Sequence, residues 1–140
     1  MTNVYAINCL VIDPRGVDLP KKQKQILREA GLEIQEEKRI FDENIDENIF
    51  IKKSCVLLIG MHPDEATVSI VQVAEKYNKN FAVVPCCVFP TKFPDRILKN
   101  GDCVIDYTQL IKYIQELVTD SSTSFLNITG RNRILYKKIA

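Results

Sequence analysis

Residues 54–90 read SCVLLIGMHPDEATVSIVQVAEKYNKNFAVVPCCVFP, a strand, a turn, a helix and a second strand, closed by a loop rich in proline and cysteine. Val56, Leu57, Leu58 and Ile59 carry no charge and stop at Gly60 and Pro63. Such a run predicts a strand buried on both faces of a parallel sheet. Pro63 suits a first helical position, and Asp64 and Glu65 complement a helix N-terminus, so the helix is expected to begin near His62. Ala66, Ile70, Val71, Ala74 and Tyr77 then recur at helical spacing, which gives the helix one face to pack on the sheet. After the polar break at 76–80, Phe81 to Val84 forms a second uncharged run ending at Pro85. Two parallel strands joined by a crossover helix are the economical arrangement. Ligands of such sheets gather beyond the strand C-termini. Gly60, Met61, His62, Pro63 and Asp64 therefore share a rim with Pro85, Cys86 and Cys87.

Working outward, Val4 to Ile12 is another apolar run, ending in Asp13, Pro14, Arg15 and Gly16. A core strand thus starts the chain with no lead-in. Asp18 can cap a helix whose opening turns contain Pro20, with Ile26, Leu27 and Ala30 as a narrow apolar stripe and Gly31 as the stop. Residues 32–41 alternate imperfectly and suggest an exposed strand near a sheet edge. Residues 42–53, DENIDENIFIKK, suggest a short acidic helix or turn over the approach to the central strand. Beyond Cys87, a long connection punctuated by Pro90, Pro94 and Gly101 has the length of a functional lid or binding loop. Leu110, Ile111, Ile114, Leu117 and Val118 place an amphipathic helix over 107–118. The tail SFLNITGRNRILYKK (124–138) predicts a hairpin around Thr129, Gly130, Arg131 and Asn132.

The chain has 140 residues, 46% of them hydrophobic and 26% charged, enough for one domain with its own core, and no repeat or linker divides it. Nineteen basic and eighteen acidic residues give a net charge of +1, which argues against a global basic field for nucleic acid and leaves only a local patch. No run reaches the roughly 20 apolar residues of a membrane span, and the N-terminus lacks the pattern of a signal peptide. A cytoplasmic or nuclear location is the expectation. Five cysteines without an export signal read as reduced thiols.

The terminal hairpin, the acid ending an early strand (Asp13), and two strands that stop in LIGMHPDEAT and VPCC together resemble the class I S-adenosylmethionine-dependent methyltransferase fold. More narrowly, His62 after Gly60 and Met61, with paired cysteines after the next strand, is similar to methyltransferase-like proteins carrying a Gly-Leu-His motif and then a Cys-Cys motif, a group with RNA-modifying relatives. The resemblance implies an α/β, Rossmann-like three-layer sandwich of methyltransferase type, with a mostly parallel sheet and a C-terminal antiparallel hairpin. It implies S-adenosylmethionine as cofactor and RNA as methyl acceptor. Asp13 would hold the cofactor ribose, with Gly60 and Met61 as the neighbouring wall.

His62, Asp64 and Cys86 would be the catalytic positions, and Pro85, Cys87, Phe89, Lys92, Phe93 and Arg96 the substrate-binding ones. The Gly-rich cofactor loop expected about 20 residues before Asp13 has no counterpart in the twelve residues preceding it. The polypeptide is then either the C-terminal part of a longer protein or a reduced relative that has lost cofactor binding. In the second case it is a catalytically silent module for a protein or RNA partner, and the exposed sheet edge of a missing central strand favours a homo-oligomer or a protein partner.

Each candidate has a plainer reading. His62 before a proline can be a helix cap, and Asp64 in a first turn needs no further reason. Cys86 and Cys87 can be small core hydrophobes, a covalent nucleophile in the manner of pyrimidine-C5 methyltransferases, or the active thiol of a small thiol-dependent protein. A zinc set of Cys55, His62, Cys86, Cys87 and Cys103 is disfavoured because adjacent cysteines lack the usual chelating spacing, so no metal is assigned. Lys92, Arg96 and Lys99 among Phe89 and Phe93 fit a phosphate track or a solvated loop equally well. Arg131 and Arg133 read as solvated hairpin residues.

Overall fold

The computed structural model describes residues 9–48 and 55–139, with six strands and three α-helices among them. Two compact units divide the chain, Met1–Phe41 and Asp42–Ala140.

In the first unit, β1 (Leu10–Ile12) and β2 (Gln35–Glu37) pair in parallel through the connecting helix α1 (Lys21–Glu29). The earlier part of the predicted first strand, 4–8, lies outside the described residues. Leu27 is the buried residue of α1, and Gly31 (φ 65°) ends it as expected. Asp18 does not cap α1. The helix opens at Pro20 with no side-chain cap, and Asp18 pairs instead with Lys24 at 3.2 Å. The exposed strand expected over 32–41 contracts to three residues.

The second unit opens on turns at 42–48, where Asp42 and Asp46 each accept the backbone N–H two residues on, at 2.9 Å. Short acidic side chains compete with helix in this way. The rest of the predicted acidic segment, 49–53, is not described. A four-stranded sheet follows, in the order β3 (Leu57–Met61), β4 (Asn80–Val84), β6 (Arg133–Lys137), β5 (Ser122–Phe125). β3 and β4 are parallel, joined by a 3₁₀ turn (Asp64–Ala66) and helix α2 (Thr67–Lys76). The turn delays the helix beyond the expected start near His62, and Pro63 precedes it as its cap. The predicted crossover and hairpin are both present, the latter as β5 and β6 paired antiparallel.

The expected mostly parallel sheet is not what forms. β6 inserts antiparallel between β4 and β5, so two of the four strand pairings are parallel, and they fall in separate sheets. Nor is β3 central or buried on both faces. Among the described residues it is an edge strand whose residues alternate: Leu58 and Gly60 are buried, while Leu57, Ile59 and Met61 are 41%, 50% and 57% exposed. The helical side of the sheet accounts for the alternation. A Cβ on Gly60 would lie 2.7 Å from Ile70 of α2 and 2.9 Å from Pro63, so the missing side chain is what lets helix and strand close together. Phe81, Val83 and Leu135 continue that inner face and are fully buried, as are Val71, Val73 and Ala74 of α2. Lys137 locks β6 to the same side, pairing with Glu75 at 2.7 Å and Asp120 at 3.3 Å.

Helix α3 (Tyr107–Leu117) fulfils the amphipathic expectation, burying Leu110, Ile111 and Ile114, and it contacts α2. Its start is set by a capping box in which the Asp106 carboxylate accepts the Gln109 N–H and the Gln109 side chain accepts the Asp106 N–H.

Candidate functional site

β3 and β4 are paired in register, Met61 opposite Val84, so the two chains leave the sheet at one level. The His62 N–H extends the ladder by donating to the Val84 carbonyl at 3.0 Å. Beyond it the backbone adopts left-handed conformations at His62 (φ 48°), Asp64 (φ 48°) and Phe89 (φ 54°). His and Asp tolerate this region better than most residues, whereas a bulky Phe there is an outlier. Strain of about 1–3 kcal/mol per residue of this kind concentrates where the surroundings enforce a functional geometry.

The rim brings His62, Asp64, Cys86 and Cys87 together, with Tyr107 and Arg131 beside them. His62 Nε2 lies 2.8 Å from the Arg131 carbonyl oxygen. A carbonyl only accepts, so Nε2 carries the proton and Nδ1 is the nitrogen left for other chemistry. The Cys86 thiol donates to Asp64 Oδ1 at 3.1 Å. Burial, and then this hydrogen bond, push the Cys86 thiol up to about 11. A nucleophilic cysteine needs the opposite shift, so at neutral pH this thiol stays protonated. The Arg131 guanidinium stacks over the Tyr107 ring at 3.9 Å. The Tyr107 hydroxyl is buried with no hydrogen-bond partner among the described residues, and that burial raises its pKa.

The remaining expected site residues range from buried to exposed. Pro85 is fully buried at the end of β4. Gly60 turns its vacant side inward against α2, and Met61 faces the open side of the sheet. Phe89 accepts the Lys92 and Phe93 N–H groups at 3.1 and 3.0 Å, which folds the chain back on itself. Lys92 pairs with Glu65 on the 3₁₀ turn. Arg96 is buried, stacked on the Phe93 ring at 3.7 Å and donating to the Val88 carbonyl at 3.3 Å, so it pins the loop from within. An Ile97–Cys103 bridge closes the next turn, which gives the long connection a defined shape rather than that of an unstructured lid.

Asp13 belongs to the first unit. Its Oδ1 accepts the Arg15 N–H at 2.7 Å and Nε at 3.2 Å, and its Oδ2 accepts Nη2 at 3.2 Å. These bonds hold the carboxyl below the usual carboxylate range.

Sequence reasoning missed Tyr107 and the part played by Arg131. Tyr107 looks like the first residue of an amphipathic helix, and Arg131 like a loop cation. Only the long-range fold of the hairpin onto the rim joins them.

Over 108 aligned residues the chain is 33% identical to a Caenorhabditis briggsae protein named "Probable tRNA (uracil-O(2)-)-methyltransferase". The aligned part covers 70% of this chain and 17% of that protein, so the chain spans under a fifth of the curated relative it matches. No protein-family model and no solved structure matches. The similarity supports a methyltransferase-like resemblance. No helix among the described residues is long and apolar enough to cross a membrane.

Proposed function

We propose that this chain is a methyltransferase-like domain that acts on RNA. The observation that carries the reading is its similarity to a protein named as a tRNA methyltransferase. The Rossmann-like element in that reading is the parallel β3–α2–β4 unit closed by an antiparallel hairpin.

In this reading the rim is the acceptor side. His62 Nδ1 accepts the proton of an acceptor hydroxyl, and Asp64 and Cys86 shape the pocket as a hydrogen-bonded pair. Pro85 forms the floor, and Cys87 and Phe89 form the wall. Arg131, held flat on Tyr107, presents its charge to a phosphate or a base. Lys92 serves the same purpose once released from Glu65, and Phe93 with Arg96 keeps the loop in shape. An oxygen acceptor suits a protonated Cys86, because no thiolate has to add to a base.

The methyl donor implied by the resemblance is S-adenosylmethionine, which supplies an electrophilic methyl group. The described residues do not fit it as a complete cradle. A carboxylate has about four acceptor positions, and three bonds from Arg15 already occupy most of those of Asp13. Gly60 offers its open side to Ile70 rather than to a ligand. This observation favours the second reading, a catalytically silent module that binds RNA or a protein.

Two titrations separate the readings. Fluorescence anisotropy with an unmodified tRNA transcript is expected to give binding that weakens about three- to tenfold in Arg131→Ala, the order of one lost phosphate or base contact. No binding at tens of micromolar tRNA, or unchanged affinity in Arg131→Ala with Arg133→Ala, overturns the RNA reading. Calorimetry with S-adenosylmethionine and S-adenosylhomocysteine, with Asp13→Ala as control, decides between donor binding and the silent module.

A further inference from the structure

The rim also holds a donor set that the proposed reaction does not use as a set. One carboxylate oxygen of Asp64 and the sulfurs of Cys86 and Cys87 all lie within 4.8 Å of one another. Cys86 Sγ and Asp64 Oδ1 are 3.1 Å apart. Tetrahedral zinc takes sulfur at about 2.3 Å and carboxylate oxygen at about 2.0–2.2 Å, which spaces its ligands about 3.4–3.8 Å apart. Rearrangements of a few tenths of an ångström to about one ångström bring the three atoms onto that geometry.

Two features make adjacent cysteines usable here. In an extended strand, neighbouring side chains point to opposite faces. The chain has already left β4 at Val84, however, and residues 85–89 follow no regular structure. Both sulfurs therefore reach the same side. Asp64 meets them because its left-handed backbone (φ 48°) turns the chain back after β3. His62 is not part of the set, neither of its ring nitrogens lying within the cluster. Cys55 and Cys103 lie outside the cluster as well.

We infer that Asp64, Cys86 and Cys87 bind one borderline-soft divalent cation of the zinc class, with the fourth position left to solvent. Two thiolates select zinc, cobalt or cadmium over magnesium and calcium. On binding, two S–H bonds break, both protons leave to the buffer, and two metal–sulfur bonds form with no change of oxidation state. The inference stands apart from the methyl-transfer reading, because its readout is metal binding alone.

The test is cobalt(II) titration of the metal-free 140-residue chain, kept reduced with a phosphine, followed by displacement with zinc. One equivalent is expected to bring up thiolate-to-cobalt charge-transfer absorption together with tetrahedral d–d bands. Supporting partners of metal sites are worth about 10–100-fold in affinity, so loss of a direct ligand in Asp64→Asn should weaken binding at least about tenfold. Cys87→Ser should remove most of the charge-transfer intensity, and Cys103→Ser should change nothing. Cys87 is exposed, so its serine variant keeps the fold, and circular dichroism checks this. Charge-transfer bands that persist in Cys87→Ser, bands lost in Cys103→Ser, or no bands at millimolar cobalt would each overturn the site.

Discussion

The His62 imidazole reaches across 69 positions to the backbone of Arg131, so the residue just after β3 is tied to the tip of the terminal hairpin at 2.8 Å. His62→Ala removes this hydrogen bond, at a cost of about 1 kcal/mol, and leaves the left-handed backbone in place. His62→Gly loses the same bond but relieves the φ of 48°. Urea denaturation should therefore rank wild type above His62→Gly, and His62→Gly above His62→Ala. The reverse order of the two variants would mean that the turn carries no strain.

Gly60 makes a second packing test. A methyl group there meets Ile70 Cδ1 at 2.7 Å and Pro63 Cγ at 2.9 Å. Overpacking of this kind costs about 1–3 kcal/mol. Gly60→Ala should be destabilised by that amount, and Ile70→Val, which deletes the offending atom, should recover part of it in the double variant. Additive losses in the denaturation midpoints would refute the contact.

Cys86 should report its surroundings through alkylation. Burial and donation to Asp64 favour the neutral thiol and raise it from 9.0 to about 11. The resulting contribution to stability is full below the ordinary thiol value and is lost as pH rises through about 11. Iodoacetamide followed by peptide mapping should label exposed Cys87 first and Cys86 only in strongly alkaline buffer. Asp64→Asn removes the acceptor charge and should move Cys86 labelling to lower pH.

Tyr107 gives a prediction of the opposite sign. Its buried hydroxyl has no partner among the described residues, and removing an unsatisfied group is neutral or stabilising by up to about 1 kcal/mol. Tyr107→Phe should melt at or above the wild-type temperature. One residue earlier, Asp106→Ala should cost about 1 kcal/mol through loss of the cap. A clear drop in the Tyr107→Phe melting temperature would reveal a hidden hydrogen bond.

What the sequence made legible follows from the range of the interactions. The Val56–Ile59 and Phe81–Val84 runs, the helix between them and the hairpin around Gly130 are local patterns, and all appear in the structure. An uncharged run such as VLLIG conceals which of its faces is covered, because alternation cannot be seen when every residue is apolar. The edge position of β3 and the insertion of β6 beside β4 are matters of strand order, which no local pattern encodes. The convergence of His62, Asp64, Cys86 and Cys87 was legible from the rim argument. The burial of Arg96 was not, since a loop arginine among aromatics reads the same whether it stacks inward or faces a phosphate. Asp18 had the right residue type for a cap but stood two positions too early.

Among the described residues β3 ends its sheet, and this bears on how the chain behaves in solution. Val56, just before the strand, and Leu57, Ile59 and Met61 within it are 41% to 69% exposed, and among the described residues no further strand pairs with the outer side of β3. With a net charge of only +1, little long-range repulsion opposes contact between molecules. This strand adds exposed apolar surface, and sulfate, which strengthens apolar burial, should bring the protein out of solution early. A single Ile59→Lys exchange, on the side of the strand away from α2, should raise that threshold without touching the rim.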